Sequence, residues 1–280
     1  MRAGPVPVAG TPRTTAPPGR RLLSVTDRAE HGAYVVLSAG DPDGPLPQPG
    51  QFYMLASGER WGGGADERPY LPRAFSVLRV AELGLEFMLE RVGPGTTRLA
   101  ELAPGDTLWV TGPLGQGFTA PQEDRRAVLC GGGVGTAPLA LLQDGLRVAE
   151  RPAPVVLGFR DQAHALGAAL IPGARVATDD GSVGHHGLVT ELLADELDDN
   201  DHAVVYACGP PAMLEAVRSL CAARGVPCQL ALEAGMACGF GACFGCVVPA
   251  ADGSYLRVCT DGPVVAGERL DTGLVAGHAA

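Results

Sequence analysis

Residues 236–259 read MACGFGACFGCVVPAADGSYLRVC and contain four of the eight cysteines of the chain. These four, Cys238, Cys243, Cys246 and Cys259, have the spacing C-x4-C-x2-C-x12-C, which is typical of a plant-type 2Fe-2S cluster. Structural zinc sites more often have two separated C-x2-C pairs or a mixture of cysteine and histidine, and neither occurs in this stretch. The spacing therefore favours an iron–sulfur cluster, with zinc or unliganded structural thiols as the alternatives.

Three glycines, Gly239, Gly241 and Gly245, lie between these cysteines. A chain that wraps a cluster needs residues with positive φ and brings backbone N–H groups close to sulfur, and glycine permits both. We expect all three glycines to serve this purpose. Residues 233–280 form a cluster-binding segment that is too short and glycine-rich to build its own core without a metal or cluster.

The other four cysteines differ in their setting. Cys221 lies in a predicted helix, Cys228 begins a predicted strand and Cys130 ends one, so we expect these three to be small buried hydrophobic residues. Cys208 instead opens the sequence CGPPAML directly after a strand. The carboxyl ends of the strands form the ligand-binding edge of an open α/β sheet, which makes Cys208 a candidate site residue.

Residues 121–232 alternate between short apolar runs and helical patterns. The runs AVLC, PVVLGF and AVVYAC have the length of buried strands, and TAPLALLQDGL and PAMLEAVRSLCAARG are helical. The alternation predicts a parallel sheet with helices on both faces. The loop CGGGVGTAPL offers backbone N–H groups and a helix N-terminus to a phosphate, although a tight turn explains its glycines equally well.

Residues 20–120 show runs such as AYVVLSA, QFYML and LEFMLERV between turns rich in Gly, Pro and Asp. This pattern predicts an all-β domain that forms a small barrel. One short helix is expected at TTRLAELA, with Thr96 or Thr97 as its N-cap. Residues 1–19 are rich in proline and predict a disordered arm.

Two short motifs of the predicted barrel are candidates for ligand binding. In RAFSV, Arg73 and Phe75 share one face of a strand and Ser76 faces the other, a pattern that also fits an ordinary strand with an exposed arginine. In LERVGPGTT, Arg91 precedes Gly95 and Thr96. This second motif offers further contacts to a pyrophosphate.

The composition argues against several classes of function. The formal net charge is -10 and the chain has no lysine, so we expect no nucleic-acid partner. The first residues lack the apolar core of a signal peptide, and the apolar residues 127–142 are interrupted by glycines and a proline, so we expect a cytoplasmic protein with no membrane span. In that reducing compartment a tight cysteine cluster indicates metal or redox chemistry rather than disulfides.

The motifs occur in one order along the chain: R-x-F-S, a G-T pair before a helix, a G-G-G-x-G-x-A-P loop, a C-G-P turn, and four cysteines followed by T-D-G-P-V. Together they resemble the ferredoxin-reductase superfamily and, within it, the electron-transfer subunits of dihydroorotate dehydrogenase. The resemblance covers residues 20–272, and its most specific part is MACGFGACFGCVV with RVCTDGPVV. It implies an α/β plus all-β fold: an N-terminal FAD-binding antiparallel β-barrel, a parallel-sheet NAD-binding domain and a small C-terminal 2Fe-2S segment.

The resemblance also implies which residues bind FAD. Arg73 would bind the pyrophosphate, Phe75 would pack near the flavin, and Ser76 would hydrogen-bond the isoalloxazine near N5. Ala74 stands where such subunits often have proline. The remaining FAD residues implied are Leu89, Glu90 and Arg91 along the adenosine or ribityl side, and Gly95 and Thr96 at the pyrophosphate.

The nicotinamide nucleotide and the cluster are assigned in the same way. The residues implied for the nucleotide are Gly131, Gly132, Gly133, Gly135 and Thr136, with Cys208, Gly209 and Pro210 near the nicotinamide. The cluster ligands implied are Cys238, Cys243, Cys246 and Cys259. The sequence GFRDQAHAL has no arginine cluster for a 2′-phosphate, which favours NADH over NADPH.

The chemistry that these cofactors permit is the conversion of two-electron into one-electron transfer, because a flavin can join hydride exchange with nicotinamide to an iron–sulfur cluster. The resemblance implies that an FMN-containing dihydroorotate dehydrogenase catalytic subunit supplies the electrons, that two subunits of each kind form a heterotetramer, and that the reaction belongs to pyrimidine synthesis. We expect the docking face around residues 236–259. The alternatives are a sulfhydrogenase-like or ferredoxin-linked NAD(P)H reductase subunit, and a zinc-stabilised interaction protein without enzymatic activity.

Overall fold

Six antiparallel strands of the N-terminal half close into a barrel. The strands are β1 Gly19–His31, β2 Tyr34–Gly40, β3 Phe52–Ser57, β4 Arg73–Ala81, β5 Gly84–Glu90 and β6 Thr107–Leu114. They run in the order β1-β2-β5-β4-β3-β6, and β1 closes the barrel because it pairs with both β2 and β6. Alternate side chains, such as those of Leu37, Leu55 and Phe87, are fully buried inside it.

The structure is a computed structural model that describes residues 19–62, 68–81, 84–198 and 202–271. Residues 1–18 of the predicted proline-rich arm therefore lie outside the described residues. Among the described residues, no helix is long and apolar enough to cross a membrane.

The short helix of the barrel begins earlier than the sequence predicts. Helix α1 spans Pro94–Ala100, and its N-cap is Gly93 rather than Thr96 or Thr97. Proline is well suited to the first turn because its missing N–H has no helical partner there. Thr96 lies one turn inside, where its hydroxyl accepts hydrogen bonds from the N–H groups of Val92 and Gly93 at 2.9 and 3.1 Å. The prediction of a threonine N-cap was wrong, because the hydroxyl caps from inside the helix.

The C-terminal half is built on a seven-stranded sheet. Its strands are β7 Arg126–Gly132, β8 Val155–Phe159, β9 Arg175–Thr178, β10 His185–His186, β11 Ala203–Cys208, β12 Cys228–Ala231 and β15 Val264–Ala266. The order is β10-β9-β8-β7-β11-β12-β15, and all pairs are parallel except the last. The strand order reverses between β7 and β11, which is the position where ligands bind in open α/β sheets.

Helices cover both faces of this sheet, as the sequence predicts. The helices are α2 Thr136–Val148, α3 Gln162–Ala165, α4 Val189–Asp198 and α5 Pro211–Arg224. Residues of α2 pack in one apolar cluster with Leu129 and Leu157, and residues of α4 and α5 pack on the opposite face with Val128 and Val156. Cys130, Cys221 and Cys228 are buried in the second of these clusters, which confirms that they are core residues.

The cluster-binding segment packs on the sheet and does not form a separate core. It contains β13 Val247–Pro249, β14 Tyr255–Arg257 and the short helix α6 Val258–Asp261. Its last strand, β15, joins the large sheet antiparallel to β12, with Val265 opposite Leu230. The buried Cys246 and Cys259 belong to the same apolar cluster as α4 and α5.

The barrel and the sheet are held together through α2. This helix packs against β4 of the barrel. Arg79 on β4 donates from Nε to Oδ2 of Asp144 on α2 at 2.9 Å, and it also donates to the carbonyl of Leu170 at 2.5 Å. The contacts hold the barrel against α2, whose N-terminus follows the carboxyl end of β7 at the candidate site.

Candidate functional site

A cavity of about 610 Å³ lies where the barrel meets the sheet. Barrel residues Tyr34, Phe75 and Thr96 form one wall. The opposite wall consists of residues at the carboxyl ends of β7, β8 and β9 and at the start of α5, among them Gly133 and Asp179. Its volume falls within the range of cofactor sites in proteins, about 300–1,000 Å³. We call it the junction cavity.

A second cavity of about 230 Å³ adjoins the first, because Phe75, Val134 and Glu233 line both. All three parts of the chain contribute to it. Ala74 and Ser76 come from the barrel, and Cys208 comes from the end of β11. Met236 comes from the cluster-binding segment, and Phe52, Met88 and Leu232 are among the apolar residues that complete the lining. We call this space the inner cavity.

The RAFSV motif forms the start of β4 and lies between these cavities. Phe75 lines both, whereas Ala74 and Ser76 line only the inner one. Arg73 donates to the carbonyl of Leu71 at 2.6 Å and pairs with no carboxylate among the described residues. Its guanidinium is therefore available to an anion. The structure thus places the motif at a ligand-sized space rather than on a plain outer strand.

Gly95 explains how Arg73 is positioned. A Cβ atom at Gly95 would lie 2.6 Å from Nε of Arg73, so only glycine lets the guanidinium rest against α1 at this point. Thr96, the next residue, lines the junction cavity. Arg73, Gly95 and Thr96 are thus brought together, as an FAD pyrophosphate site requires.

The three residues at the end of β5 and just beyond it do not all face ligand. Glu90 lines the junction cavity. The Leu89 side chain is fully buried in the barrel interior, so only its backbone can reach a ligand. Arg91 is exposed and pairs with Glu30 at 3.3 Å, and it lines neither cavity.

In the glycine-rich loop between β7 and α2, some glycines line the cavity and others allow close packing. Gly132, Gly133 and Val134 line the junction cavity, and Gly133 has a positive φ of 54° that glycine adopts without strain. Gly131 and Gly135 are buried and let neighbouring elements approach closely. A Cβ atom at Gly135 would lie 2.2 Å from the carbonyl oxygen of Cys208.

That contact joins the loop to the C-G-P turn after β11. Pro210 lines the junction cavity and Cys208 lines the inner cavity, while Gly209 packs against Met213. Burial, and then the nearby carboxylate of Glu233, hold the pKa of the Cys208 thiol well above its usual value, so this residue stays protonated. It is a neutral group at the cavity and not a thiolate nucleophile.

Glu233 is a candidate site residue that sequence reasoning missed. It lines both cavities at the point where the sheet passes into the cluster-binding segment. The sequence LALEAG offers no motif around it. Its position five residues before Cys238 is the only sequence signal that could have drawn attention to it.

Two buried hydroxyl groups, one beside the junction cavity and one at the start of α2, have no hydrogen-bond partner among the described residues. Oη of Tyr34 and Oγ1 of Thr136 make no hydrogen bond, although the two residues are 1% and 0% exposed. Tyr34 Oη points toward the glycine-rich loop, since a Cβ at Gly133 would be 3.6 Å from it. Buried polar groups are normally satisfied, and Tyr34, which lines the junction cavity, is suitably placed to contact a dinucleotide on this loop. The residues present therefore fit a nucleotide.

We predict that Tyr34→Phe raises the KM for NADH by about 3- to 10-fold without lowering the free energy of unfolding, because no hydrogen bond within the protein is lost. The matched control is Tyr206→Phe. Its hydroxyl donates to the carbonyl of Thr119 at 2.9 Å, so its loss costs about 1 kcal/mol of stability and leaves the KM unchanged. Chemical denaturation and steady-state kinetics of both variants test the pair. A loss of stability in Tyr34→Phe with an unchanged KM contradicts a role in binding.

The four cysteines of the C-terminal segment lie together as two pairs. The thiol of Cys238 interacts with that of Cys243, and the thiol of Cys246 with that of Cys259. The first pair is at the surface and the second is buried, with Cys246 and Cys259 each 2% exposed. Within the described residues, no group of three or more His, Cys, Asp or Glu side chains is arranged around a point that could hold one metal ion. The four thiols together supply the ligand set that a 2Fe-2S cluster requires.

Backbone N–H groups surround the sulfurs as the cluster interpretation requires. Gly241 donates to Sγ of Cys259 at 3.1 Å, and Gly245 donates to Sγ of Cys243 at 3.4 Å. Burial raises the pKa of Cys238, but hydrogen bonds from backbone N–H groups beginning with that of Phe240, together with the Cys243 thiol, outweigh it and lower this pKa to about 6. Such donors stabilise thiolate sulfur, which is the form that binds iron.

The backbone of this loop differs from the prediction at one glycine. Gly239 and Gly241 have positive φ angles of 81° and 85°, as expected. Gly245 does not, so that prediction was wrong, and the positive φ falls on Phe244 at 57° instead. The Phe244 ring lies 5.2 Å from the guanidinium carbon of Arg257, a cation–π contact that offsets part of the cost of this conformation.

Gly239 joins the cluster-binding segment to the barrel. A Cβ atom there would lie 2.6 Å from Cγ of Met54, which is opposite Ala74 in the β3–β4 pair. The cysteine loop therefore lies directly against the strand that neighbours the RAFSV motif. Met236, just before the loop, lines the inner cavity. The cysteine loop thus packs against the barrel, and the residue just before it reaches the inner cavity.

Comparison with known proteins agrees with this geometry. A family described as "Iron-sulfur cluster binding domain of dihydroorotate dehydrogenase B" matches residues 233–271. This match confirms the prediction of an iron–sulfur cluster in preference to zinc.

The chain also resembles whole proteins. It is 36% identical over 236 residues to the "Dihydroorotate dehydrogenase B (NAD(+)), electron transfer subunit" of Caldanaerobacter subterraneus subsp. tengcongensis, covering 81% of this chain and 88% of that protein. It is 40% identical over 228 residues to the subunit of the same name from Geobacillus kaustophilus, covering 78% and 85%.

Among solved structures, one described as the NADH-dependent reduced ferredoxin-NADP oxidoreductase superposes with a TM-score of 0.78 at 25% identity, covering 92% of both chains. The three-part fold predicted from the sequence, a barrel followed by a parallel sheet and a cluster segment, is thereby confirmed. Because relatives above 30% identity match more than three quarters of the chain and the cysteine segment is in place, the chain belongs to the family of dihydroorotate dehydrogenase B electron transfer subunits.

Proposed function

We propose that this chain is the electron-transfer subunit of an NAD+-dependent dihydroorotate dehydrogenase that serves pyrimidine synthesis. A separate FMN-containing catalytic subunit oxidises dihydroorotate, and the two electrons released reduce NAD+ on this chain. The overall reaction balances as dihydroorotate plus NAD+ giving orotate, NADH and one proton. The observation that carries the proposal is the inner cavity, around which the barrel motif, the C-G-P turn and the cluster-binding segment meet.

The barrel residues would hold FAD. Arg73 supplies a positive charge that no carboxylate of the described residues pairs with, which suits the pyrophosphate, and Gly95 and Thr96 complete that contact. Phe75 would pack against the flavin, and Ser76 faces the inner cavity, where its hydroxyl can hydrogen-bond the isoalloxazine. When bound, FAD supplies the chemistry that joins hydride exchange with nicotinamide to single-electron exchange with a 2Fe-2S cluster.

The glycine-rich loop and the C-G-P turn would hold the nicotinamide nucleotide. Gly132 and Gly133 present backbone at the cavity, and the N-terminus of α2 follows directly, so phosphate oxygens can accept hydrogen bonds there. Pro210 lines the junction cavity, and the neutral thiol of Cys208 lines the adjoining inner cavity. These residues orient the nicotinamide toward the flavin, and we assign none of them a proton-transfer role.

The cysteine loop would hold the 2Fe-2S cluster near the surface. Cys238 and Cys243 would bind the outer iron, and Cys246 and Cys259 the inner one. Four large apolar residues of the segment are exposed: Phe240 at 62%, Phe244 at 60%, Val247 at 40% and Tyr255 at 71%. An exposed apolar group around an electron-transfer centre marks a docking face, and we assign it to the catalytic subunit, with two copies of each subunit in the complex.

The thiols also bear on the compartment. Four cysteines must remain reduced to bind iron, and the acidic chain with formal net charge -10 shows no basic patch. We propose that the protein acts in the cytoplasm.

The experiment that tests the function uses the complex purified anaerobically from the native cell. Dihydroorotate and NAD+ are added, and the formation of NADH is followed by its absorbance. NADH formation in proportion to the amount of this chain supports the proposal. A preparation that retains flavin and cluster absorbance yet forms no NADH contradicts it. Reduced ferredoxin, added in place of dihydroorotate, then tests the ferredoxin-linked alternative.

A further inference from the structure

Another buried hydroxyl without a partner lies in the cluster-binding segment. Thr260 directly follows Cys259 in α6, and its Oγ1 is buried yet makes no hydrogen bond with the described residues. A threonine hydroxyl in a helix often donates to a carbonyl about one turn earlier, and this one does not. Because buried polar groups are normally satisfied, the hydroxyl needs an acceptor that the described residues do not supply.

The surroundings of Gly241 show where this hydroxyl lies. The N–H of Gly241 donates to Sγ of Cys259 at 3.1 Å. A Cβ atom on Gly241 would lie 2.9 Å from Cγ2 of Thr260 and 3.8 Å from its Oγ1. The Cys259 sulfur and the Thr260 side chain are therefore neighbours of the same glycine. The buried hydroxyl thus lies against the loop that surrounds the four sulfurs.

Sulfur is the acceptor that this loop offers to hydrogen-bond donors. Besides the N–H groups of Gly241 and Gly245, the N–H of Cys259 donates to a cysteine sulfur, Sγ of Cys246, at 3.4 Å. The carboxylate nearest in sequence, that of Asp261, is engaged by the N–H of Arg257 at 2.8 Å and not by the Thr260 hydroxyl. A hydroxyl can rotate to suit its acceptor, so Thr260 is able to donate where backbone N–H groups already do.

We infer that the hydroxyl of Thr260 donates a hydrogen bond to a sulfur of the bound 2Fe-2S cluster and thereby raises the reduction potential of that cluster. This inference rests on the proposed function, since it concerns the cluster through which the electrons pass. Reduction adds one electron, and part of the added negative charge falls on the sulfurs. A donor to sulfur therefore stabilises the reduced cluster more than the oxidised one. The bond favours uptake of an electron by the cluster.

One nearby charge acts on the potential in the same direction. Nη1 of Arg257 would lie 3.4 Å from a Cβ atom on Gly241, so this guanidinium also borders the loop. Its Nε is 3.5 Å from Oδ2 of Asp261, and that carboxylate offsets part of its charge. A test of the hydroxyl must therefore leave Arg257 in place and change Thr260 alone.

The test compares Thr260→Val with Thr260→Ser. Valine keeps a methyl group against Gly241 and loses the hydroxyl, whereas serine keeps the hydroxyl and loses the methyl group. Each variant is purified anaerobically with flavin and cluster and is titrated with dithionite, and the reduced cluster is followed by electron paramagnetic resonance. Thr260→Val is expected to lower the equilibrium constant for cluster reduction about 10-fold, which is about 59 mV for one electron. Thr260→Ser is expected to keep the potential of the unsubstituted protein.

Three results would overturn the inference. Equal shifts in the two variants would assign the effect to packing against Gly241, and unchanged potentials in both would show that the hydroxyl contacts no cluster sulfur. Loss of the cluster from either variant would make Thr260 a residue needed for assembly and not for the potential. The titration needs neither dihydroorotate nor the catalytic subunit. A shift confined to Thr260→Val, in a protein that forms no NADH from dihydroorotate, would thus reject the proposed electron donor and keep the role of Thr260.

Discussion

Replacing Cys243 by serine is expected to lower dihydroorotate-dependent NAD+ reduction by at least about 100-fold, while oxidation of NADH by ferricyanide continues near its normal rate. Cys243 is exposed and its partner in the surface pair is Cys238, so the substitution removes one ligand of the outer iron without opening the core. The flavin-binding residues lie on the barrel and do not depend on it. Loss of the visible absorbance of the cluster, with flavin absorbance retained, is the accompanying sign.

The control for this variant is Cys221→Ala, which removes a sulfur from the same chain but outside the cysteine loop. Cys221 is 1% exposed and lies in α5, where its thiol contacts Cys228, so its loss costs about 1 kcal/mol of stability and should leave both activities intact. Cys243→Ser with normal dihydroorotate-dependent activity and no cluster absorbance would show that the electrons do not pass through this loop. The two activities separate a broken electron path from a folding defect, because NADH oxidation by ferricyanide requires the flavin but does not require the cluster.

The cluster and the order of barrel and parallel sheet could be predicted because their signals are local. The ligand spacing in C-x4-C-x2-C depends only on how a short loop wraps around two irons. The pattern of apolar residues in a strand depends only on which of its side chains are buried. Cys238 and Cys259 are distant in sequence, yet the spacing pattern still places both at one site. The same holds for the glycine-rich loop, where Gly133 takes the positive φ that the pattern favours.

The residues that sequence reasoning missed act through contacts between distant elements. Glu233, Tyr34 and Asp179 reach the cavities only because the barrel packs against the sheet through α2, and no local pattern encodes that packing. The direction in which a single side chain points also depends on tertiary contacts. Leu89 turns into the barrel interior and Arg91 turns to Glu30, although both lie within a motif that points to the cofactor.

Gly135→Ala is expected to have the second large effect, because two predicted sites meet at this residue. The backbone of Gly135, with φ of −61° and ψ of −11°, is one that alanine adopts readily, so the substitution adds no conformational strain. The added Cβ would lie 2.2 Å from the carbonyl oxygen of Cys208 and 2.7 Å from the backbone nitrogen of Gly209. Both are backbone atoms of the C-G-P turn. Backbone atoms cannot rotate away as a side chain can. The loop and the turn must therefore move apart.

The expected cost is about 2–3 kcal/mol of stability and about 100-fold in kcat/KM for NADH, since a shift of an ångström in a positioning loop has effects of this size. Gly235→Ala is the matched control, because Gly235 lies between the cavity-lining residues Glu233 and Met236 and its Cβ would meet nothing within 4 Å. Thermal denaturation and the NADH–ferricyanide reaction measure both effects. If Gly135→Ala loses stability but keeps its kcat/KM for NADH, the packing of the two loops supports the fold and does not position the nicotinamide. Loss of both, with flavin content unchanged, assigns the nucleotide to the junction cavity and not to the barrel.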